Sequence, residues 1–187
     1  MTQNTLNKNL EYKDVASEWL NRKHKNGKVL DSYYYITNNK VYIVDGSKKV
    51  VLDYSLKELE MANWLVNTFG ETLYMKPRVN QPDGIKTADY FWKGEYWDLK
   101  SMSATGKRAF DNRINNHETQ SKNFIFDVTC NPLSNKEIEK QIINIYKSES
   151  RNWINKIIVK RNNKIVFIFE RKKRLTTQPA AKDQSHD

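Results

Sequence analysis

A mixed α/β domain of the α+β kind is the fold class this chain predicts. Three observations carry it. Helical and strand periodicities alternate through residues 55–172. Ser55 with Glu58, and Ser134 with Glu137, have the spacing of capping boxes and mark two helix starts. Asn38-Asn39, Lys93-Gly94 and Asn162-Asn163 each separate two β-prone segments by the two residues a tight hairpin needs.

In chain order, residues 11–25 predict a short helix with Val15, Trp19 and Leu20 on its apolar side. SYYYIT and KVYIVD predict a hairpin, and KVVLDY a third strand. Residues 1–50 read as an accessory segment, residues 51–175 as the main domain. A helix follows Ser55, with Leu56, Leu59, Ala62, Val66 and Phe69 at helical spacing and Gly70 as its stop. TLYMKPRV predicts one strand, and TADYFWKGEYWDLKS a hairpin. A loop and second helix are expected over residues 101–122, then the apolar strand NFIFDVTC, the helix after Ser134, and the closing hairpin IIVKR–KIVFIFERK. Residues 176–187 are expected to be disordered.

Composition narrows the function. At 187 residues with 38% hydrophobic content, the chain can bury a core. No apolar run approaches the ~20 residues a bilayer-spanning helix requires, and the N-terminus lacks a secretory signal pattern. The expected setting is the cytoplasm of a producing or a target cell, with no membrane partner. The lone Cys130 excludes an internal disulfide and a cysteine zinc site. A net charge of +10 favours nucleic acid as partner, because Lys and Arg displace counterions condensed on phosphates.

The central hairpin carries the chemistry. A Lys93-Gly94 turn pairs Trp92 with Glu95, Phe91 with Tyr96, Tyr90 with Trp97 and Asp89 with Asp98. Alternation sends Tyr90, Trp97 and Leu99 to one face and Asp98 and Lys100 to the other. Two opposed carboxylates repel. A proton on one acid, neutralisation by Lys100 and nearby bases, or a divalent cation each offsets this. Mg²⁺ suits the last case, because it takes one or two carboxylates and completes its shell with water and phosphate.

Asp89 followed by Asp98-Leu99-Lys100 on the next strand resembles the PD-(D/E)xK nuclease motif, with Ala88 where the motif's name has proline. The helix, three strands, helix and strand of residues 55–129 are similar to that superfamily's restriction-endonuclease-like αβββαβ core. ADYFWKGEYWDLKS, with Gln120 and NFIFDV, resembles the tRNase toxin domains of contact-dependent growth inhibition proteins and phage-associated polymorphic toxins. The resemblance spans roughly residues 55–172. It implies metal-dependent phosphodiester cleavage using Mg²⁺ (or Mn²⁺) held by Asp89 and Asp98, with Lys100 catalytic and tRNA the substrate. It also implies a further acid from the first helix, Glu58 in preference to Glu60, and a glutamine, Gln120, that orients substrate or water. With the positive charge, it implies a small acidic immunity protein as partner.

Arg113, His117 and Gln120, at spacings of four and three, share one face of the second helix, and where that face borders the hairpin Arg113 can bind phosphate. Lys107, Arg108 and the run 171–174 are further candidates for backbone phosphate contacts. Two other readings remain open at this point. One is a metal-independent RNase of the barnase/EndoU/colicin/RelE-like type. The other is a non-enzymatic nucleic-acid-binding protein of a phage or mobile element.

Overall fold

A computed structural model describes residues 12–115 and 118–172. The expected tail over 176–187 and His117 lie outside the described residues.

The segments alternate as predicted. The described elements are β1 (Tyr12–Asp14), α1 (Ala16–Asn21), β2 (Val29–Asp31), β3 (Tyr34–Thr37), β4 (Lys40–Ile43), β5 (Val50–Val51), α2 (Leu56–Phe69), β6 (Leu73–Met75), β7 (Arg78–Val79), β8 (Tyr90–Trp92), β9 (Glu95–Ser101), α3 (Ala109–Ile114), β10 (Asn123–Asp127), α4 (Asn135–Lys147), β11 (Lys156–Arg161) and β12 (Lys164–Arg171). Eight strands form one sheet in the order β1-β12-β11-β10-β9-β8-β6-β2, while β3-β4 and β5-β7 are separate two-stranded ladders. The sheet is mixed: β9, β10 and β11 run parallel, as do β2 and β6, and the remaining neighbours are antiparallel. The chain is therefore an α+β domain, and β1 and β2 from the segment read as accessory stand at the two ends of its main sheet.

Both faces of the sheet are covered, which explains why Phe124, Ile125 and Phe126 of β10 are apolar in succession and all buried. Ile125, Ile158 and Ile168 pack with α1 and α2 around Trp19, Phe69, Trp92 and Trp97. Phe124, Phe126, Ile157 and Val159 pack with α3 and α4. The buried indoles have acceptors: Trp92 Nε1 donates to Gly70 O at 3.1 Å, and Trp97 Nε1 to Trp92 O at 3.1 Å. Gly70 closes α2 with φ +66°, and a Cβ there would lie 1.9 Å from Lys25 O, so no other residue fits. A third small core, of Tyr35, Val50, Val79 and Ala88, sits under the N-terminal ladders.

Several elements are shorter than periodicity implied. The helix expected over 11–25 is the strand β1 followed by only six helical residues, with no side-chain cap at Val15. Trp19 is buried, but Leu20 is 49% exposed. KVVLDY pairs only at Val50–Val51. TLYMKPRV breaks at Lys76-Pro77, where proline has no N–H to give the ladder, and its two halves join different sheets. Leu56 is 70% exposed, so the buried stripe of α2 begins a turn later, at Met61 and Ala62.

Candidate active site

The central hairpin forms in the expected register for three pairs: Tyr90 with Trp97, Phe91 with Tyr96, and Trp92 with Glu95. Lys93 and Gly94 take the positive φ angles, 53° and 75°, that the two-residue turn requires. The fourth expected pair is not a ladder pair. The ladder turns aside at Asp89, whose N–H donates to Trp97 O at 3.1 Å and whose C=O accepts from Lys76 N at 2.9 Å. Swinging the backbone away relieves two like charges that strict pairing would set directly opposite. The Asp89 side chain then takes the next donor, accepting from Leu99 N at 2.6 Å.

The carboxyls still meet. Asp89 and Asp98 line the same cavity, close enough for the Asp98 charge to act on Asp89. Asp98 is 1% exposed. Its Oδ1 accepts from Gln120 Nε2 at 2.9 Å, and its Oδ2 is 2.5 Å from Lys100 Nζ. Burial, then the neighbouring Asp98 charge, push the Asp89 carboxyl well above the usual carboxylate range.

Glu58 completes the acidic wall. It is the capping-box residue of α2, with Ser55 N donating to Oε2 at 2.5 Å, and Arg78 Nη2 donates to Oε1 at 3.0 Å. Burial raises the Glu58 carboxyl, but the bonds from Ser55 and the Arg78 charge outweigh it and hold the carboxyl below its ordinary value. Tyr90, buried beneath, donates its hydroxyl to Glu58 O at 2.9 Å and fixes this turn of α2 to the hairpin.

These residues line one cavity of about 380 Å³: Glu58, Asp89, Asp98, Lys100 and Gln120 face it, with Lys76 and Arg78. Glu60, the other helix acid, lines a separate cavity of about 520 Å³ with Trp64, Cys130 and Lys160. The helix face expected to join Arg113 and Gln120 does not form, because α3 ends at Ile114. Gln120 instead lies in a turn beyond it and is anchored by a bond from Nε2 to Thr87 O at 2.5 Å. Arg113 is exposed and does not line the cavity. Lys107 and Arg108 border a different hollow, and Arg108 pairs with Asp111 at 2.6 Å.

Sequence reasoning missed Lys76 and Arg78. Both lie in TLYMKPRV, read as a single strand. No pattern in the sequence marks either one, because what makes them neighbours of the acids is the break of that run at Pro77 and the sheet around it.

Among the described residues no group of three or more His, Cys, Asp or Glu side chains forms a metal cage. The donor set fits a hard cation that keeps most of its water. Asp98 Oδ2 is buried and no hydrogen bond of proper geometry reaches it, although the Lys100 ammonium lies beside it. Asp89 offers a second carboxylate in the same cavity.

No helix among the described residues is long and apolar enough to cross a membrane. No curated protein matches the chain. A solved structure described as a CdiA-CT/CdiI toxin and immunity complex from Burkholderia pseudomallei aligns over 75% of this chain and 98% of that one, at 22% identity and a TM-score of 0.48, a likeness too slight to rest anything on. Residues 86–165, which run from the loop before the central hairpin into β12, match the family model for the contact-dependent growth inhibition CdiA C-terminal domain.

Proposed function

We propose that this chain is a toxin domain of the contact-dependent growth inhibition kind that hydrolyses phosphodiester bonds in RNA, tRNA foremost, with Mg²⁺ or Mn²⁺. One observation carries the reading: Asp89, Asp98 and Lys100 gather with Glu58 and Gln120 in a single cavity. The match of residues 86–165 to the CdiA C-terminal domain supports the toxin class. The order α2-β6-β8-β9-α3-β10 supports a PD-(D/E)xK core.

Asp89 and Asp98 would hold the metal. Once bound, it would lower the pKa of coordinated water and offset charge on the phosphate. The protein's own groups do the rest. Gln120 holds Asp98 Oδ1, and Oδ2 lies beside the Lys100 ammonium. Leu99 N fixes Asp89 Oδ2. The Lys100 ammonium orients water and offers positive charge where the phosphate becomes more negative. Glu58, anchored by Arg78 and Ser55, keeps the wall negative toward a cation. An acidic immunity protein that covers the positive surface belongs to the same proposal, its motive being the +10 charge.

The test is incubation of purified protein with total RNA and with plasmid DNA, with and without Mg²⁺ and chelator. RNA cleavage that needs Mg²⁺ is expected. Cleavage that survives chelator and Asp89→Ala yet needs Lys100 would move the reading to a metal-independent RNase. Binding without cleavage would leave a non-enzymatic protein.

A further inference from the structure

We propose that Lys76 forms an anion subsite beside the Asp89–Asp98–Lys100 cluster, holding a backbone phosphate that neighbours the one being cleaved. The inference rests on the nuclease reading for the identity of the anion, but not for the existence of the subsite.

Lys76 is 7% exposed and lines the same cavity as the acids. Its backbone is pinned from both sides, since Met75 O accepts from Ser32 N at 3.0 Å and Lys76 N donates to Asp89 O at 2.9 Å. Its Nζ donates to Ser32 Oγ at 2.7 Å and lies 4.4 Å from the centre of the Tyr34 ring. The Ser32 hydroxyl donates in turn to Tyr34 O at 3.1 Å, so it is already committed. An ammonium has three N–H donors, and Ser32 takes one.

The cavity's other cations are matched: Arg78 with Glu58 at 3.0 Å, Lys100 with Asp98 at 2.5 Å. Among the described residues Lys76 has no acid within ion-pair distance. A buried ammonium without a counter-charge is costly. Burial lowers Lys76 to about 8, which still leaves it mostly charged at neutral pH. The aromatic ring and hydroxyl hold its position but supply no negative charge, and an anion entering the cavity would. In a nuclease the anion that enters is phosphate, and Lys100 already serves the one at the acids.

Inorganic phosphate is titrated into the wild-type protein at pH 7 while the ¹H–¹³C signal of the Lys76 ε-methylene is followed, assigned by its loss in Lys76→Met. The signal is expected to move saturably with phosphate and to stay still with chloride at equal ionic strength. In cleavage of RNA, Lys76→Met is expected to raise KM about tenfold or more, the worth of a charge-assisted hydrogen bond. Its kcat should stay within about threefold, as for lost uniform binding, with Lys76→Arg recovering part of KM. A Lys76 signal indifferent to phosphate overturns the subsite, as does an unchanged KM in a folded Lys76→Met. If that variant does not fold, the signal is assigned by its loss in Lys76→Arg instead, and the titration decides alone. If the wild type cleaves no nucleic acid, the nuclease reading falls while the titration still decides the subsite.

Discussion

Ser55–Glu58 and Ser134–Glu137 start two helices with the same device. In each, the serine side chain accepts from the backbone of the glutamate three residues on, and the glutamate accepts from the serine N–H. Their surroundings differ. Glu137 is exposed, and among the described residues its carboxylate bonds only with Ser134, whose bonds hold it below its ordinary value. Glu58 has 14% of its side chain exposed, takes Arg78 as a second partner and touches Asp89 across the cavity. The same motif therefore fixes where a helix begins, while the strands packed against that turn decide whether its acid also lines a cavity with other acids.

Swapping each glutamate for glutamine breaks this comparison most sharply, because glutamine also completes a capping box. Glu58→Gln is expected to lower RNA cleavage by about 100-fold, the scale of one lost electrostatic group at an active site. Glu137→Gln should leave the rate unchanged. Circular dichroism and steady-state kinetics on the two variants check both. Equal rates would reduce Glu58 to a cap.

The second box has no counterpart to Asp89, and a pH series shows it. The Asp89 carboxyl is raised in the folded protein, so between its unfolded and folded values the native state binds more protons and stability falls as pH rises. Asp89→Asn keeps an acceptor for Leu99 N and removes the charge. Its melting temperature in metal-free buffer should exceed the wild type's by a few degrees at pH 7, about 2–4 °C per kcal/mol for a domain of this size. The gain should shrink as the pH falls toward 4. A gain that grows on acidification would reverse the assignment.

The smallest effect is the one the boxes share. Ser55→Ala should cost about 1 kcal/mol of stability, and Ser134→Ala should lower the melting temperature in the same direction. Thermal denaturation reads both, and only Ser55→Ala should also weaken cleavage, by loosening Glu58.

Much of this was legible beforehand, where the cause is local. Both capping boxes, the three two-residue turns and three hairpin pairs follow from neighbouring residues alone. Asp89 was legible as an acid opposite Asp98, but not the turn of the ladder that brings its side chain to Leu99 N, where the Asp89 carbonyl bonds Lys76 N, just beyond the end of β6. The shared helix face of Arg113 and Gln120 failed because α3 stops after six residues, and Gln120 reaches Asp98 through an irregular turn that no periodicity encodes. Lys76 was invisible for a similar reason. Its partners, Ser32 and Tyr34, lie more than forty residues upstream, and only the sheet brings them together.

In the proposed metal-dependent phosphodiesterase site, Asp98 is the acid held by both Gln120 and Lys100. Single-turnover cleavage of total RNA across a Mg²⁺ titration, for wild type and Asp98→Asn side by side, tests that site most directly. The account predicts a wild-type rate that rises with Mg²⁺ to saturation and vanishes with chelator. It predicts a folded Asp98→Asn that stays roughly 1,000-fold slower at every concentration, the scale for losing a group made for the transition state. Wild-type cleavage that persists in chelator, or an Asp98→Asn that matches it, would contradict the account.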